Sequence, residues 1–174
     1  MARTKKKEKM NALLNELLID SSRSDRELGK IIGVSQPTVS RTKKMLVEKG
    51  LIQGFSAIPN FYKIGYELMA LTLVKIKSNL SSKEERQKGH NIIKEWMNKQ
   101  NNVIFSSYCR GLESDAFIIS FHPNYKDFDD FIQKHNRDLG YLLNDVKSAL
   151  VNLDNQQTIK SFNFKHLAEN MKQE

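Results

Sequence analysis

Cysteine occurs once in the 174 residues, at Cys109, so the chain carries no disulfide framework of its own and no cysteine cluster for zinc. Packing in a strand is the expected role of that thiol. No apolar run approaches the length that spans a bilayer, and the opening Met-Ala-Arg-Thr-Lys-Lys-Lys lacks an apolar signal segment, which together point to a cytoplasmic protein away from membranes. An aromatic RNA-binding motif and a basic amphipathic membrane helix are missing as well. The four histidines, His90, His122, His135 and His166, show no metal-ligand spacing and no evident acid–base pair. The sequence therefore calls for no catalytic residue, no metal and no cofactor.

What is present is basic charge, unevenly placed. The formal net charge is +8, and residues 1–53 hold 12 Lys or Arg against 6 Asp or Glu, leaving 16 against 14 for the remainder. A positive field of this kind speeds encounter with a polyanion and supplies salt-sensitive affinity without specifying a sequence. Within the basic part, Ser24 and Glu27 form a capping box, so a helix begins near Asp25. Leu28, Ile31 and Ile32 are expected to share its inner face, and Gly33 ends it. Ser35 is a second N-cap, Pro37 suits a first helical turn, and a helix runs on towards Lys49 before Gly50 stops it. Upstream, Met10, Leu13, Leu14, Leu17 and Leu18 recur at helical spacing and supply a third helix, preceded by Lys5, Lys6, Lys7 and Lys9 as a flexible or solvated arm.

Three helices with this turn make a helix-turn-helix, and the second helix of the motif is basic. With Val39 and Leu46 facing inward and Ser35 at its N-cap, it offers Gln36, Thr38, Ser40, Arg41, Thr42, Lys43 and Lys44 to a major groove. Duplex DNA is the partner that this face implies. Gln36 suits bidentate pairing with adenine, Arg41 guanine or phosphate, Ser35 and Thr38 phosphate, and Lys43 and Lys44 phosphate clamps.

Beyond Ile52 the pattern becomes that of a second domain. Gln53 to Ile58 reads as a short strand, ended by Pro59 and Asn60. Glu67–Ile76 is a buried strand, Ser82 with Glu85 caps a helix whose inner face is Ile92, Ile93, Trp96 and Met97, and Val103–Arg110 pairs with Ala116–His122 across a turn. Tyr125, Phe128, Phe131 and Ile132 mark another helix, and Val146–Leu153 is the last core strand. A further strand is expected around Thr158–Phe164. The order βαββαβ gives an α+β chain, with an N-terminal three-helix (winged) helix-turn-helix over residues 1–53 and a connector over 54–66. A ferredoxin-like domain covers 67–166, followed by a tail over 167–174. Two helices cover one sheet face only, so Leu71, Leu73, Phe105, Ile118, Ser120 and Leu150 are expected to drive sheet-to-sheet dimerisation.

SQPTVSR in the second helix of the motif, EKGLI at its exit, the GFSAIPNFYKIGYEL connector, and the Gly111–Asp115 turn feeding AFIISFHPNYKDF resemble the Lrp/AsnC family of transcriptional regulators. The last piece resembles archaeal members in particular. The resemblance covers nearly the whole chain. It implies a DNA-binding domain, a dimerisation and effector domain, and assembly into dimers or higher homo-oligomers. It also implies a small-molecule effector near Gly111, Leu112, Glu113, Ser114 and Asp115, between the second and third strands. Three residues separate Gly111 from Asp115 where amino-acid-binding members carry two, which argues against an amino acid. Lys43 stands where an apolar residue is common. Two other functions use the same scaffold: a low-specificity architectural protein coating DNA, and an enzyme resembling the siroheme decarboxylases, for which the scattered histidines offer little.

Overall fold

Capping chemistry and the glycine turn decide the first unit. The structure, a computed structural model, describes residues 2–77, 82–154 and 158–171. Helix α1 (Ala2–Ile19) is followed by α2 (Asp25–Ile32) and α3 (Gln36–Glu48). At the start of α2 the Glu27 N–H donates to Ser24 Oγ at 3.2 Å, and the Ser24 N–H donates to Glu27 Oε2 at 2.8 Å. Each side chain satisfies a backbone donor that the first helical turn leaves unpaired. Gly33, at φ 68° and ψ 42°, ends α2, and the Val34 N–H returns to the Gly29 carbonyl at 2.9 Å. Leu13, Leu17, Leu28, Val39 and Leu46 form the buried centre, with Met10, Leu14, Ile32, Val34 and Ile52 packed round it.

Several expectations for this unit are corrected. Helix α1 begins ahead of the lysines and runs through them, because Lys-Lys-Lys-Glu-Lys holds no glycine or proline to stop it, so these residues are helix rather than arm. Ile31 is half exposed and leaves the inner face to Leu28 and Ile32. Residues 53–58 form no strand, so no β wing is present among the described residues. Nor is there a strand over 158–164. The chain instead closes with α6 (Lys165–Met171), which packs on α1 and buries Ala168, so residues 160–171 fold with the helix-turn-helix unit instead of extending the sheet domain or fraying. Positions 172–174 of the expected tail lie outside the described residues.

The second unit spans residues 59–159. It contains β1 (Leu68–Ile76), α4 (Lys83–Asn98), β2 (Val103–Gly111), β3 (Ser114–His122), α5 (Tyr125–Leu139) and β4 (Leu143–Asn152). The strands form one antiparallel sheet in the order β2-β3-β1-β4. This is the split βαβ arrangement expected from the βαββαβ order.

Strand parity divides the sheet into two faces. Thr72 pairs with Ile118 and Val74 with Ala116, and these residues face the helices. Val74 and Ile118 join Trp96, Phe131, Leu139, Leu142 and Leu143 in the core. Ile118, Ser120 and Leu150 share this parity, so they belong to the helix-covered face rather than the open one assigned from sequence. Leu71, Leu73 and Phe105 do lie on the open face. Part of that face is already covered by the connector, where Phe61 stacks on Phe121 at 4.1 Å between ring centres and Tyr66 meets the same ring edge-on at 6.2 Å. Ile92 and Tyr125 point outwards, and His135 and Leu139 complete the buried face of α5. Among the described residues no helix is long and apolar enough to cross a membrane.

One close approach sets the turn between α2 and α3. A Cβ added at Gly29 would sit 2.7 Å from the Val34 carbonyl oxygen, a backbone atom that cannot swing aside. Gly29→Ala is therefore expected to cost about 1–3 kcal/mol, the usual range for forced overpacking. Urea unfolding reads this, and a midpoint unchanged from the parent would mean that the turn relaxes freely.

Candidate nucleic-acid interface

Helix α3 owes its position to the three buried side chains along one side, Val39, Thr42 and Leu46. Their spacing leaves the opposite side to solvent. Ser35, Gln36, Thr38, Ser40, Arg41 and Lys44 are all exposed there or at the helix start. Pro37 sits in the first turn, where its missing N–H breaks no helical bond. Ser35 occupies the N-cap position but makes no side-chain capping bond. Its hydroxyl instead lies 2.9 Å from Thr38 Oγ1, so two hydroxyls sit together at the positive end of the helix.

Not every residue expected on this face reaches it. Thr42 is only 8% exposed, and its hydroxyl donates to the Thr38 carbonyl at 2.7 Å, which removes it from the contact set. Lys43 lies at the flank, where its Nζ donates to Asp25 Oδ1 at 2.6 Å. Ser40 Oγ donates to the other oxygen of the same carboxylate. Asp25, at the first position of α2, thus binds two side chains of α3, and these bonds hold its carboxyl below the usual carboxylate range, Lys43 first and Ser40 second. Nothing in periodicity joins residues 25 and 43. The available signal was the apolar residue expected at position 43, which already placed that side chain towards the protein.

The turn between β2 and β3 is built differently. Leu112 and Glu113 take φ of 49° and 56°, giving the two-residue left-handed turn that matches the twist of a hairpin. Ser114 Oγ donates to the Leu112 carbonyl at 3.1 Å. Asp115 is engaged at both oxygens, accepting from Lys75 Nζ at 2.9 Å and from the Ile76 N–H at 3.0 Å, which lowers its pKa, chiefly through Lys75. Glu113 lies 3.7 Å from Lys147 Nζ. The two carboxylates of the turn where an effector was expected thus already have cations beside them, and Gly111 with its left-handed φ shapes the hairpin.

The histidines are less scattered than their positions suggest. His122 is fully buried, with Nδ1 2.8 Å from Asp127 Oδ2 and Nε2 2.8 Å from Ser120 Oγ. A carboxylate only accepts, so Nδ1 carries a proton, and Nε2 shares its hydrogen bond with the Ser120 hydroxyl, which can donate or accept. This pairing was missed from the sequence. It has the connectivity of a catalytic relay, yet Ser120 is wholly buried and has no route to a substrate. His90 and His135 line one cavity in the same unit, and His166 lies 3.2 Å from Glu169 within α6. No group of three or more His, Cys or carboxylate residues able to hold a metal occurs among the described residues.

No family profile matches the chain. A leucine-responsive regulatory protein from Rhizobium meliloti is 30% identical over 125 residues, covering 69% of this chain and 72% of that protein. The chain belongs to the Lrp/AsnC family of transcriptional regulators. An uncharacterised HTH-type transcriptional regulator from Pyrococcus furiosus shares 37% identity with this Lrp/AsnC chain over 60 residues, and there the match spans only 40% of the relative's length. A transcriptional regulator from Neisseria meningitidis, solved as an L-Met complex, shares the fold with a TM-score of 0.70 over 91% of this chain and 97% of its own, at 19% identity. Relatives of the Lrp/AsnC chain are thus named as regulators rather than enzymes.

The Asp25 latch makes stability depend on pH. A depressed folded pKa contributes stability that is present in full above the ordinary value of 3.8 and is lost as pH falls through the lowered folded value. Asp25→Asn is expected to cost about 0.5–1 kcal/mol at neutral pH, as for a partly exposed ion pair. Urea unfolding across pH should show that difference vanish in acid, and a constant offset down to the most acidic point would rule out the latch as its source.

Proposed function

We propose that this Lrp/AsnC chain is a sequence-reading regulator of transcription that binds double-stranded DNA in the cytoplasm as a dimer or higher homo-oligomer. The observation that carries the reading is a single helix, α3, anchored by buried Val39 and Leu46 while Gln36, Arg41 and Lys44 are exposed on its outer side. Inserted in a major groove, that side presents one amide and one guanidinium, the two groups suited to bidentate bonding with adenine and guanine. Ser35, Thr38 and Lys44 hold phosphates. Lys43 and Ser40 reach DNA only by leaving Asp25, so their part is to fix the tilt of the helix.

Dimerisation follows from the open sheet face. Leu71, Phe105 and Val151 are 38%, 50% and 42% exposed on the sheet face that points away from the helices, which supports pairing with a second copy. Two copies of α3 about a twofold axis would read half-sites about 34 Å apart, or a multiple of that distance. The β2–β3 turn, Gly111 to Asp115, we assign chiefly to holding the hairpin and the end of β1. An amino acid entering there must displace Lys75 or Lys147.

Mobility shift with the DNA upstream of the protein's own coding sequence, against random duplex of equal length across a salt series, tests the DNA reading. Tighter and more salt-tolerant binding to the upstream DNA is expected. Equal affinities that collapse together with salt would favour the architectural reading. Arg41→Ala should cost about 1–3 kcal/mol on the specific site and narrow the gap to random DNA, whereas Lys44→Ala should weaken both alike. For the assembly, Leu71→Asp is expected to lower the mass seen by light scattering while the circular dichroism stays that of the parent; an unaltered mass would place the interface elsewhere.

A further inference from the structure

The sheet unit contains a cavity of about 510 Å³ between α4, the helix-facing side of β1 to β3, and α5. That is within the size range of small-molecule sites, roughly 300–1,000 Å³. It lies on the opposite side of the sheet from the open face, and its lining includes none of Gly111 to Asp115. Ile93, Met97, Val74, Ile118 and Leu139 supply the apolar part of the wall, and Gln87, Asn91 and Asn98 add uncharged amides along α4. At the rim stand exposed His90, whose ring lies 4.6 Å from that of Tyr108, and exposed Lys94. Deeper in, His135 is 1% exposed and its Nδ1 has no hydrogen-bond partner.

Charge selects among possible occupants. No Asp or Glu lines the cavity among the described residues, and Lys94 has no carboxylate partner among them. An ammonium group entering this space would lose water, meet no counter-charge and face Lys94. A carboxylate at the rim would gain a charge-assisted bond from Lys94. Burial also lowers the pKa of His135, which favours the neutral ring. A neutral imidazole with one free nitrogen deep in an apolar site leaves a buried polar atom that a ligand hydroxyl can satisfy.

We propose that this cavity binds a small aryl monocarboxylate without an ammonium group, its carboxylate at Lys94, its ring among the apolar walls and a distal hydroxyl on Nδ1 of His135. The ligand belongs to the class of deaminated aromatic acids, and the free amino acids are excluded by the missing acidic partner. Binding is a property of the sheet unit and is read without DNA, so its failure leaves the DNA-binding reading untouched.

Calorimetric titration of the full chain with para-hydroxyphenylpropionate, tyrosine and phenylpropionate tests this, because tyrosine adds only the ammonium and phenylpropionate removes only the hydroxyl. The hydroxy acid should bind saturably, tyrosine at least tenfold more weakly, and phenylpropionate several-fold more weakly. Lys94→Gln, a change at an exposed position that leaves the core intact, should weaken the hydroxy acid about tenfold, the equivalent of about 1.4 kcal/mol. His135→Phe should abolish the advantage of the hydroxy acid over phenylpropionate. Absence of saturable binding by the hydroxy acid, equal binding of tyrosine, or an unchanged affinity in Lys94→Gln would each overturn the proposal.

Discussion

What α3 presents to its surroundings depends on how tightly the chain turns between α2 and α3. Gly29 lets the Val34 carbonyl approach to a distance that any side chain would block, and Gly33 takes the left-handed conformation that reverses the chain. With the turn closed in this way, Val39 and Leu46 meet Leu28 and the leucines of α1, and that packing fixes the rotation of α3 about its own axis. The Asp25 carboxylate then ties the flank of α3 to the first residue of α2. The outward residues follow from this geometry. A rotation of one residue, about 100°, would bring Lys43 and Val47 towards the outer side and carry Arg41 off it.

A comparable constraint acts on the sheet, where alternate residues must serve two different surroundings. The helix-facing side is packed near α5, with buried polar groups satisfied in pairs: Thr72 with Ser148 at 2.8 Å, and His122 with Asp127 and Ser120. Such pairing is what makes buried polar side chains tolerable in a core. Under α4 the filling is incomplete. Ile93, Trp96 and Met97 point inwards, and beside them Ser106 and Ala116 are too small to occupy the space over β2 and β3. Ser106 and Ala116 share the helix-facing parity, so the cavity arises from residue size at particular register positions.

Much of this was legible from residue order alone, and the limits were physical. Capping boxes at Ser24 and Ser82 and the stop at Gly33 depend on neighbours within a few residues, so they read directly from the chain. The order of strands and helices followed from apolar periodicity, which is also local. Parity across the sheet was less secure, because assigning Ile118 and Leu150 to a face needs the register between strands, and register is set by long-range pairing. Asp25 with Lys43 and the return of α6 to α1 join distant segments by tertiary contact, and His122 with Asp127, though close in sequence, depends on how α5 turns back over β3. The candidate interface was legible as a helix and a set of side chains. Which of those were free could be decided only after packing had withdrawn Thr42 and engaged Ser40 and Lys43.

That withdrawal changes how charge should be counted. Residues 1–53 have 6 more basic than acidic groups, but a cation already held by a carboxylate has little left to offer a phosphate. Each phosphate neutralised contributes about −0.9 to the slope of log affinity against log salt, so the slope reports free cations rather than composition. On α3, Lys43 is spent on Asp25, and Lys44 stands 3.8 Å from Glu48 in an open, solvent-screened pair that a phosphate can replace. Arg41 has no salt-bridge partner among the described residues. In the proposed DNA-bound state the non-specific attraction of this helix would thus be smaller than its sequence suggests, and discrimination between sites would rest more heavily on the geometry of Gln36 and Arg41. A weak electrostatic floor beneath a few directed bonds favours a protein that distinguishes sequences over one that coats any duplex it meets.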